Sequence, residues 1–297
     1  MSPLRSSPLL SIGIAIQPED VFGVIFRDDA FHQFVRFDTR NVSLNTNSNN
    51  PIIFIIHGWM EDRNVEWFQD LTEAFLEENK ANIVIQVDWS KGSKLPRSSA
   101  VRNNKPVGEI IGKFIYDLMK TNSLSPSQFH LVGFSMGGQV SGFAAKEFVS
   151  LSSQKLGRIT ALDPSGKSYN DRPENERLNS NDAEIVAVIH TDTSQFGFKE
   201  PCGTHDLYPN GRVTYQPGCP DKFDLVELAY CSHFRAHRYF IEAIKQGRFI
   251  GTQCETYEKY REGYCGGNKE VNFADVIYPH QSEVYYAITK SKPPFLY

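Results

Sequence analysis

The chain has 297 residues, of which 40% are hydrophobic and 22% are charged, so it is long enough to bury a large core. Its formal net charge is -4, with lysine and arginine scattered along the chain, which argues against nucleic acid as a partner. No apolar run approaches the roughly 20 residues that a membrane-spanning helix needs, so no transmembrane segment is expected.

The N-terminal residues 1–17 are interpreted as a disordered segment or a signal remnant. Residues 9–16 form a short apolar run behind Arg5, but no clear small-residue cleavage site follows. The asparagine-rich stretch 41–50 predicts an exposed turn between an N-terminal hairpin and the first central strand. It holds the glycosylation sequon Asn41-Val42-Ser43, which fits a secreted protein.

Apolar, β-rich runs alternate with helical patterns along the chain. The apolar runs are 52–56, 83–87, 129–132, 159–162 and 185–189, and the helical patterns are 65–78, 106–118 and 139–148. Runs that are apolar at every position suit central strands covered on both faces. The alternation predicts an α/β fold with a doubly wound, mainly parallel sheet in a single domain over 1–297. The apolar segments after about residue 272 are interpreted as closing edge structure.

The segment Gly133-Phe134-Ser135-Met136-Gly137 stands between an apolar strand and a helical pattern. A serine in such a sharp turn has an exposed hydroxyl, and the flanking glycines allow the close backbone approach that the turn demands. Ser135 is therefore the candidate nucleophile. A serine hydroxyl is a weak nucleophile at neutral pH and needs a base, an acid that orients the base, and donors for the developing oxyanion.

Three aspartates follow predicted strands and are candidates for the acid: Asp88, Asp163 and Asp192. Reactive groups gather at the carboxyl ends of the strands in a sheet of this kind. The acid follows the serine along the chain in hydrolases of this architecture, which excludes Asp88. The spacing does not separate Asp163 from Asp192.

His233 is the candidate base, because it stands directly before an amphipathic pattern over 234–244, in a loop that Cys231 could hold. His237 falls within that pattern and is expected to be structural. His190 ends a strand and His205 lies in a polar turn, so both are interpreted as hydrogen-bonded loop histidines.

The oxyanion site is predicted from two backbone N–H groups. One comes from Met136, the residue after the nucleophile. The other is expected from Trp59, because Gly58 permits a turn after an early strand that aims this amide inward.

All five cysteines lie in the last third of the chain. Two close spacings predict the disulfides Cys219-Cys231 and Cys254-Cys265, which leaves Cys202 free. No histidine stands with them as a zinc site requires, so no metal is expected at the cysteines.

Several segments together resemble the pancreatic lipase family in order and spacing over about residues 20–290. They are Ile55-Ile56-His57-Gly58-Trp59, Gly133-Phe134-Ser135-Met136-Gly137-Gly138, Ala161-Leu162-Asp163-Pro164, Val188-Ile189-His190-Thr191-Asp192, His205-Asp206-Leu207-Tyr208-Pro209-Asn210-Gly211, Gln216-Pro217-Gly218-Cys219 and Cys231-Ser232-His233. The resemblance implies an α/β-hydrolase fold with Ser135 as nucleophile, Asp163 as acid and His233 as base. It favours Asp163 over Asp192.

The chain departs from the family pattern in two ways. The usual Gly-His-Ser-Leu-Gly reads Gly133-Phe134-Ser135-Met136-Gly137, where both exchanged positions contribute backbone or packing. The chain also ends near the end of the hydrolase domain, so the β-sandwich that serves colipase is expected to be absent, and no colipase partner is expected.

The segment 219–231 stands in the position of the family's lid, and only eleven residues separate Cys219 from Cys231. A short lid leaves the cleft open. Together with the brief loop 193–203, it resembles the secreted phospholipase A1 branch. The resemblance implies hydrolysis of the sn-1 ester of phospholipids at a membrane or micelle surface. The alternatives are a triacylglycerol or galactolipid lipase and, in another class, a non-catalytic lipid-binding or yolk-type relative.

No cofactor is required by this chemistry. The segment 173–182 is similar to one that holds a structural calcium ion in some relatives, which would place the ion near Glu174, Arg177, Asn179 and Asp182. Asn179 stands where a carboxylate would help, and one charge fewer weakens a site for a hard cation. A plain polar loop is the favoured interpretation.

Overall fold

The computed structural model describes residues 15–27, 32–44, 50–212, 215–220, 225–276 and 282–297, without the side chains of His32 and of residues 225–229. The predicted leader therefore lies outside the described residues except for its last three. The same holds for residues 45–49 of the polar turn, 221–224 of the lid and 277–281 of the tail.

Within these ranges, eleven strands form one sheet. They are β1 Phe22–Arg27, β2 His32–Arg36, β3 Ile52–Ile56, β4 Ile83–Asp88, β5 Phe129–Phe134, β6 Leu156–Leu162, β7 Ala183–Ile189, β8 His205–Pro209, β9 Ile250–Gln253, β10 Glu270–Asn272 and β11 Glu283–Ala287.

The order across the sheet is β10-β9-β11-β8-β7-β6-β5-β3-β4-β1-β2. The strands from β4 to β11 in this order pair in parallel, whereas β1, β2, β9 and β10 join antiparallel. The predicted mainly parallel sheet and N-terminal hairpin are confirmed. All residues of β3, β4 and β5 are buried, as fits strands covered on both faces.

Six helices accompany the sheet in the described part of the chain. They are α1 Glu66–Glu77, α2 Ser90–Ser93, α3 Arg97–Asn122, α4 Met136–Ser152, α5 Leu225–Gln246 and α6 Tyr257–Arg261. Apolar residues of α3 and α4 form the core on one face of the sheet, and those of α1 and α5 form the core on the other. This two-sided covering is the doubly wound architecture that the alternating pattern predicts.

Two helix starts and the place of one strand in the sheet differ from the sequence predictions. Helix α3 begins at Arg97 and contains Pro106, although the pattern placed proline at the helix start, where its missing N–H costs least. Helix α5 begins at Leu225, so His233 lies within a helix and the prediction of a loop before residue 234 was wrong. Leucine, glutamate and alanine at 225–229 have good helix propensity and extend the pattern backwards. Strand β11 lies between β8 and β9, and β10 forms the edge.

The register of the parallel strands brings four strand ends together. Ile56 of β3 stands opposite Gly133 of β5, and Phe134 stands opposite Leu162 of β6. Leu162 in turn stands opposite Ile189 of β7. The residues that follow these strands therefore meet at one edge of the sheet, at the carboxyl ends.

Candidate active site

Ser135 occupies a strained turn between β5 and α4. Its backbone has φ 55° and ψ -118°, a conformation that a residue with a side chain rarely adopts. A Cβ on Gly133 would lie 2.3 Å from the carbonyl oxygen of Gly137, and one on Gly137 would lie 2.1 Å from that of Ile56. Both glycines are thus required by the close approach of the backbone, as the sequence pattern predicts.

Asp163 follows β6 and is fully buried. Its Oδ1 accepts N–H groups from Thr191 at 2.8 Å and Asp192 at 3.0 Å. Its Oδ2 lies 2.5 Å from Nδ1 of His233. Burial raises the pKa of Asp163 above its usual range, while the hydrogen bond with His233 opposes the rise. The carboxylate is therefore fixed by donors on both oxygens.

His233 lies on α5 with its ring against the nucleophile turn. Its ring centroid is 4.6 Å from that of Phe134, the residue before Ser135. Because Nδ1–H donates to the carboxylate of Asp163, Nε2 is the nitrogen left to accept a proton. Within the described residues, no hydrogen bond of 3.5 Å or less joins Nε2 to the Ser135 hydroxyl, a contact that often tightens only with bound substrate.

Asp192, the other aspartate that the spacing left open, has a different set of partners. Its Oδ1 accepts the backbone N–H groups of Ser194 at 2.9 Å and Gln195 at 3.1 Å, and its Oδ2 accepts that of Phe196 at 2.9 Å. Asp192 thus braces the loop after β7, and the carboxylate at the histidine is that of Asp163.

The turn after β3 passes close to Ser135, as the predicted oxyanion site requires. A Cβ on Gly58 would lie 2.9 Å from the Cβ of Ser135, so the backbone directly before Trp59 lies against the nucleophile. The indole of Trp59 donates to the carbonyl oxygen of Leu95 at 2.9 Å. The residues of the two predicted amide donors, Trp59 and Met136, directly follow this close approach and the nucleophile, and their donation to an oxyanion stays a prediction.

Glu61 holds this turn, a contribution that the sequence interpretation missed. Its Oε2 accepts the Gly58 N–H at 2.8 Å, and its Oε1 accepts the indole N–H of Trp67 at 3.0 Å. A carboxylate three residues after the glycine is the only sequence signal for this role, and it is too common to stand out.

His57 also supports the turn and has a fixed tautomer. Its Nδ1 donates to the carbonyl oxygen of Gly58 at 2.9 Å, and its Nε2 accepts the backbone N–H of Trp89 at 3.2 Å. The ring stacks on the indole of Trp89, with centroids 5.4 Å apart. This histidine therefore links the ends of β3 and β4.

An aromatic wall stands beside His233. Phe196 lies 5.5 Å from the His233 ring and 4.8 Å from the ring of Tyr230. Phe234 lies 5.8 Å from Tyr230 and 5.7 Å from Phe134. Such a wall suits the apolar part of a substrate next to a polar reaction centre.

The remaining candidate histidines have structural surroundings. Burial lowers the pKa of His237 to about 3, and its ring stacks on Trp67 with centroids 5.2 Å apart. His190 lies between the carbonyl oxygen of Phe198 at 3.0 Å and Asp206 at 2.8 Å. His205 contacts the hydroxyl of Thr204 at 2.9 Å.

His190, Cys202 and Asp206 form a buried cluster with ligand atoms close enough for a metal ion. The carboxylate of Asp206 is already occupied by donors, since it accepts N–H groups from Cys202 at 2.9 Å and Gly203 at 3.0 Å besides the imidazole. Burial raises the pKa of the Cys202 thiol well above its usual value. The carboxylate and the imidazole of this cluster are therefore already hydrogen-bonded, and the thiol is kept protonated by burial.

Both predicted disulfides are present. Cys219 pairs with Cys231 and Cys254 with Cys265, and Cys202 is free and buried, as expected. The first disulfide fixes the segment before α5 two residues from His233.

The candidate calcium segment is closed by a lysine of α4. The ammonium of Lys146 donates to the carbonyl oxygen of Arg177 at 2.8 Å and to Oδ1 of Asp182 at 2.6 Å. The Asn179 amide donates to the carbonyl oxygen of Glu174 at 2.9 Å, and its backbone N–H donates to Oδ2 of Asp182 at 2.9 Å. These oxygens already face donors, so the donor set does not fit a calcium ion.

No helix in the described ranges is both long and apolar enough to span a bilayer.

The order of the sheet and the strand, turn and helix around Ser135 define an α/β-hydrolase fold.

Comparison with known proteins identifies the family. The profile of the Lipase family matches residues 24–293. Lipase member H from Oryctolagus cuniculus is 35% identical over 225 residues, which cover 74% of this chain and 48% of that protein. Hepatic triacylglycerol lipase from Rattus norvegicus is 30% identical over 275 residues, which cover 84% and 55%. Pancreatic triacylglycerol lipase from Myocastor coypus is 31% identical over 254 residues, which cover 79% and 54%. The chain therefore belongs to the lipase family of the pancreatic type, and it spans about half the length of the curated relatives it matches.

Proposed function

We propose that the chain is a serine esterase that hydrolyses the sn-1 acyl ester of glycerophospholipids, a phospholipase A1. The observation that carries the catalytic part is the hydrogen bond of 2.5 Å between the buried Asp163 and His233, beside a serine in a strained turn. An imidazole held by a carboxylate next to a serine is the arrangement that can activate a hydroxyl once the imidazole and the serine meet.

The reaction follows from these positions. Nε2 of His233 takes the proton of Ser135 as Oγ attacks the ester carbonyl, and Asp163 stabilises the imidazolium that forms. The amides of Trp59 and Met136 donate to the oxyanion. The imidazolium then protonates the departing lysophospholipid alkoxide, which leaves an acyl-enzyme. Water, activated by the same imidazole, releases the fatty acid and restores the serine.

The short lid supports a phospholipid as the substrate. Only eleven residues separate Cys219 from Cys231, and residues 225–230 among them already belong to α5. The loop after β7 is held down by its hydrogen bonds to Asp192. A short lid and a short loop after β7 leave room beside the reaction centre for a charged head group, which a long apolar lid would exclude.

A neutral-lipid function is the second candidate. It is favoured by the likeness to hepatic and pancreatic triacylglycerol lipases at 30% and 31% identity. Purified protein incubated separately with phosphatidylcholine, triolein and a galactolipid distinguishes the candidates. Release of the sn-1 fatty acid from phosphatidylcholine, at a higher kcat/KM than for the other two lipids, is the expected result, and a preference for triolein would contradict it.

The catalytic assignment is tested by Ser135→Ala with an organophosphonate probe. We expect the wild type to be labelled on Ser135 and the variant to lose about a million-fold in kcat with an unchanged circular dichroism spectrum. The matched control is Ser141→Ala, which removes a buried hydroxyl of α4 that donates to a backbone carbonyl. Turnover by Ser135→Ala would exclude the assignment, and a wild type that neither reacts with the probe nor hydrolyses any ester would support a non-catalytic lipid-binding protein.

An extracellular location is part of the proposal. Two disulfides within one chain persist in oxidising compartments, and Asn41 of the sequon is exposed.

A further inference from the structure

Arg97 begins helix α3 at the border of the candidate site. Its Nη2 lies 3.4 Å from Oγ of Ser165, and the Ser165 N–H donates to the carbonyl oxygen of Ser135 at 2.9 Å. Two residues before Arg97, the carbonyl oxygen of Leu95 accepts the indole N–H of Trp59. The guanidinium therefore contacts the turn that follows Asp163, and the backbone just before α3 contacts the turn after β3.

Arg97 also interacts with a residue of helix α5, whose first part belongs to the lid. The phenol groups of Tyr169 and Tyr230 are close enough to interact electrostatically with its guanidinium, and Tyr230 packs against Phe196 of the aromatic wall. Arg97 thus lies close to the turn that follows Asp163 and in the electrostatic surroundings of the helix that carries His233.

The charge of Arg97 has no acidic partner in the described parts of the chain. The two preceding basic residues at intervals of three, Lys91 and Lys94, each have an acidic partner. Lys91 pairs with Asp20, and Lys94 pairs with Asp62. Arg97 is half-buried, so its guanidinium is partly desolvated while its contacts are neutral hydroxyl groups. A partly desolvated cation without a counter-charge favours binding of an anion, and the positive end of α3 adds to this field.

The geometry points to Arg97 as a specificity residue that binds the phosphate of the phospholipid during hydrolysis of the sn-1 ester. This inference rests on the function proposed above. In a glycerophospholipid the phosphate is attached to the same glycerol as the sn-1 ester, a few bonds from the carbonyl carbon. With that carbonyl at Ser135, we place the phosphate on the side of the site where Arg97 contacts Ser165. A guanidinium fork matches the oxygens of a phosphate diester, and a triacylglycerol offers no anion at this place.

The test compares Arg97→Gln and Arg97→Lys with Arg102→Gln. Arg102 is exposed on the same helix, and its guanidinium hydrogen-bonds to Ser99 and pairs with no acidic side chain among the described residues, which makes it the matched control. Each variant is assayed on phosphatidylcholine and on p-nitrophenyl butyrate, an uncharged ester that reports the triad alone. We expect Arg97→Gln to lower the ratio of the two kcat/KM values about ten- to a hundredfold. Arg97→Lys should retain part of the ratio, and Arg102→Gln should leave it unchanged.

A second readout separates this inference from the proposed function. Glycerophosphocholine, which carries the phosphate but no ester, should inhibit p-nitrophenyl butyrate hydrolysis competitively in the wild type and at least tenfold more weakly in Arg97→Gln. Equal losses on both substrates, or unchanged inhibition, would overturn the role of Arg97 even in an active phospholipase. A wild type that cleaves triolein but not phosphatidylcholine would reject the proposed function, whatever Arg97 does.

Discussion

At the scale of single residues, the candidate site is built on two strained backbones that support one another. Ser135 has φ 55° and Asp163 has φ 44°, values that cost on the order of 1–3 kcal/mol for a residue with a side chain. The Ser135 N–H donates to the carbonyl oxygen of Leu162 at 3.0 Å, and the carbonyl oxygen of Ser135 accepts the Ser165 N–H at 2.9 Å. The turns after β5 and β6 are thus hydrogen-bonded on both sides of the nucleophile.

The exchange of either aspartate to asparagine should separate catalysis from loop stability. Asp163→Asn removes the carboxylate that orients and stabilises the imidazolium, so we expect kcat to fall about a thousandfold or more. Asp192→Asn weakens the bonds that brace the loop after β7 and should lower the free energy of unfolding by about 1–2 kcal/mol, with kcat within about tenfold of the wild type. Steady-state kinetics and urea unfolding measure the two effects, and the reverse ranking in kcat would move the acid to Asp192.

The sequence could predict the residues of the site but not all of their supports. Ser135 and the glycines beside it form a local pattern, and the turn needs those residue types whatever surrounds it. Asp163 and Asp192 were equivalent by spacing because each follows a strand, and only the register of β6 and β7 against α5 decides which of them reaches His233. Glu61 carries only a weak local signal, its spacing from Gly58, and its second partner, Trp67, lies on α1 and reaches it only when that helix packs against the turn.

At the scale of elements, helix α4 connects the nucleophile to the loop before β7. Ser135 stands at its N-terminal end, and Lys146 projects from its third turn to the carbonyl oxygen of Arg177 and to Asp182. Burial raises the pKa of Asp182 to about 6, while the ammonium of Lys146 opposes the rise. The lysine thus supplies the positive charge that this loop needs.

Addition of calcium is therefore expected to leave the stability of the protein unchanged, whereas replacement of Lys146 should lower it markedly. We expect the melting temperature of the wild type to be the same in EGTA and in millimolar calcium. Lys146→Met leaves a buried carboxylate without its partner and should cost about 2 kcal/mol of unfolding free energy at pH 8. The loss should be smaller at pH 5. A folded-state pKa above the unfolded value penalises folding as the pH rises through it, and protonation below that pKa removes the penalty.

Lys113→Met, which removes an exposed lysine of α3, is the matched control for Lys146→Met. Its unfolding free energy should stay within about 0.5 kcal/mol of the wild type. A rise in the melting temperature of the wild type on addition of calcium would show that the segment binds the ion despite the lysine.

The helices were less predictable than the strands. The five apolar runs all became strands because burial on both faces demands apolar residues at every position. Helix α3 extends to Arg97, nine residues before the predicted start, since its polar first turns carry little periodic signal. Helix α5 includes the residues before His233, because residues 225–229 have good helix propensity and continue the helical pattern backwards.

At the scale of the whole molecule, the sheet brings residues from distant parts of the chain to one edge. Helix α5 must place His233 at the same edge. Two links hold the part of α5 just before His233. They are the Cys219-Cys231 disulfide and the hydrogen bond of 3.0 Å from the Gln216 N–H to the Ser232 hydroxyl. The side-chain amide of Gln216 donates to the carbonyl oxygens of Thr191 and Pro209, both at 3.1 Å. The position of His233 therefore depends on the ends of β7 and β8 as well as on its own helix.

The two disulfides offer a matched comparison of stability with catalytic placement. Their sequence separations are 12 and 11, so the loop-closure entropy that each removes from the unfolded chain is nearly equal, about 3 kcal/mol. Cys254-Cys265 packs with Tyr208 and Tyr286 of β8 and β11, whereas the other disulfide adjoins His233. Double serine variants of each pair should lose similar amounts of unfolding free energy, measured by urea titration.

Their activities should nevertheless differ, because only one disulfide positions the base. At a temperature at which both variants remain folded, Cys219→Ser with Cys231→Ser should lower kcat for p-nitrophenyl butyrate about tenfold, since a small displacement of the imidazole weakens proton transfer steeply. Cys254→Ser with Cys265→Ser should stay within about twofold of the wild type. Equal kcat values for the two variants would mean that the packing of α5 against α1 and the sheet positions His233 without the covalent link.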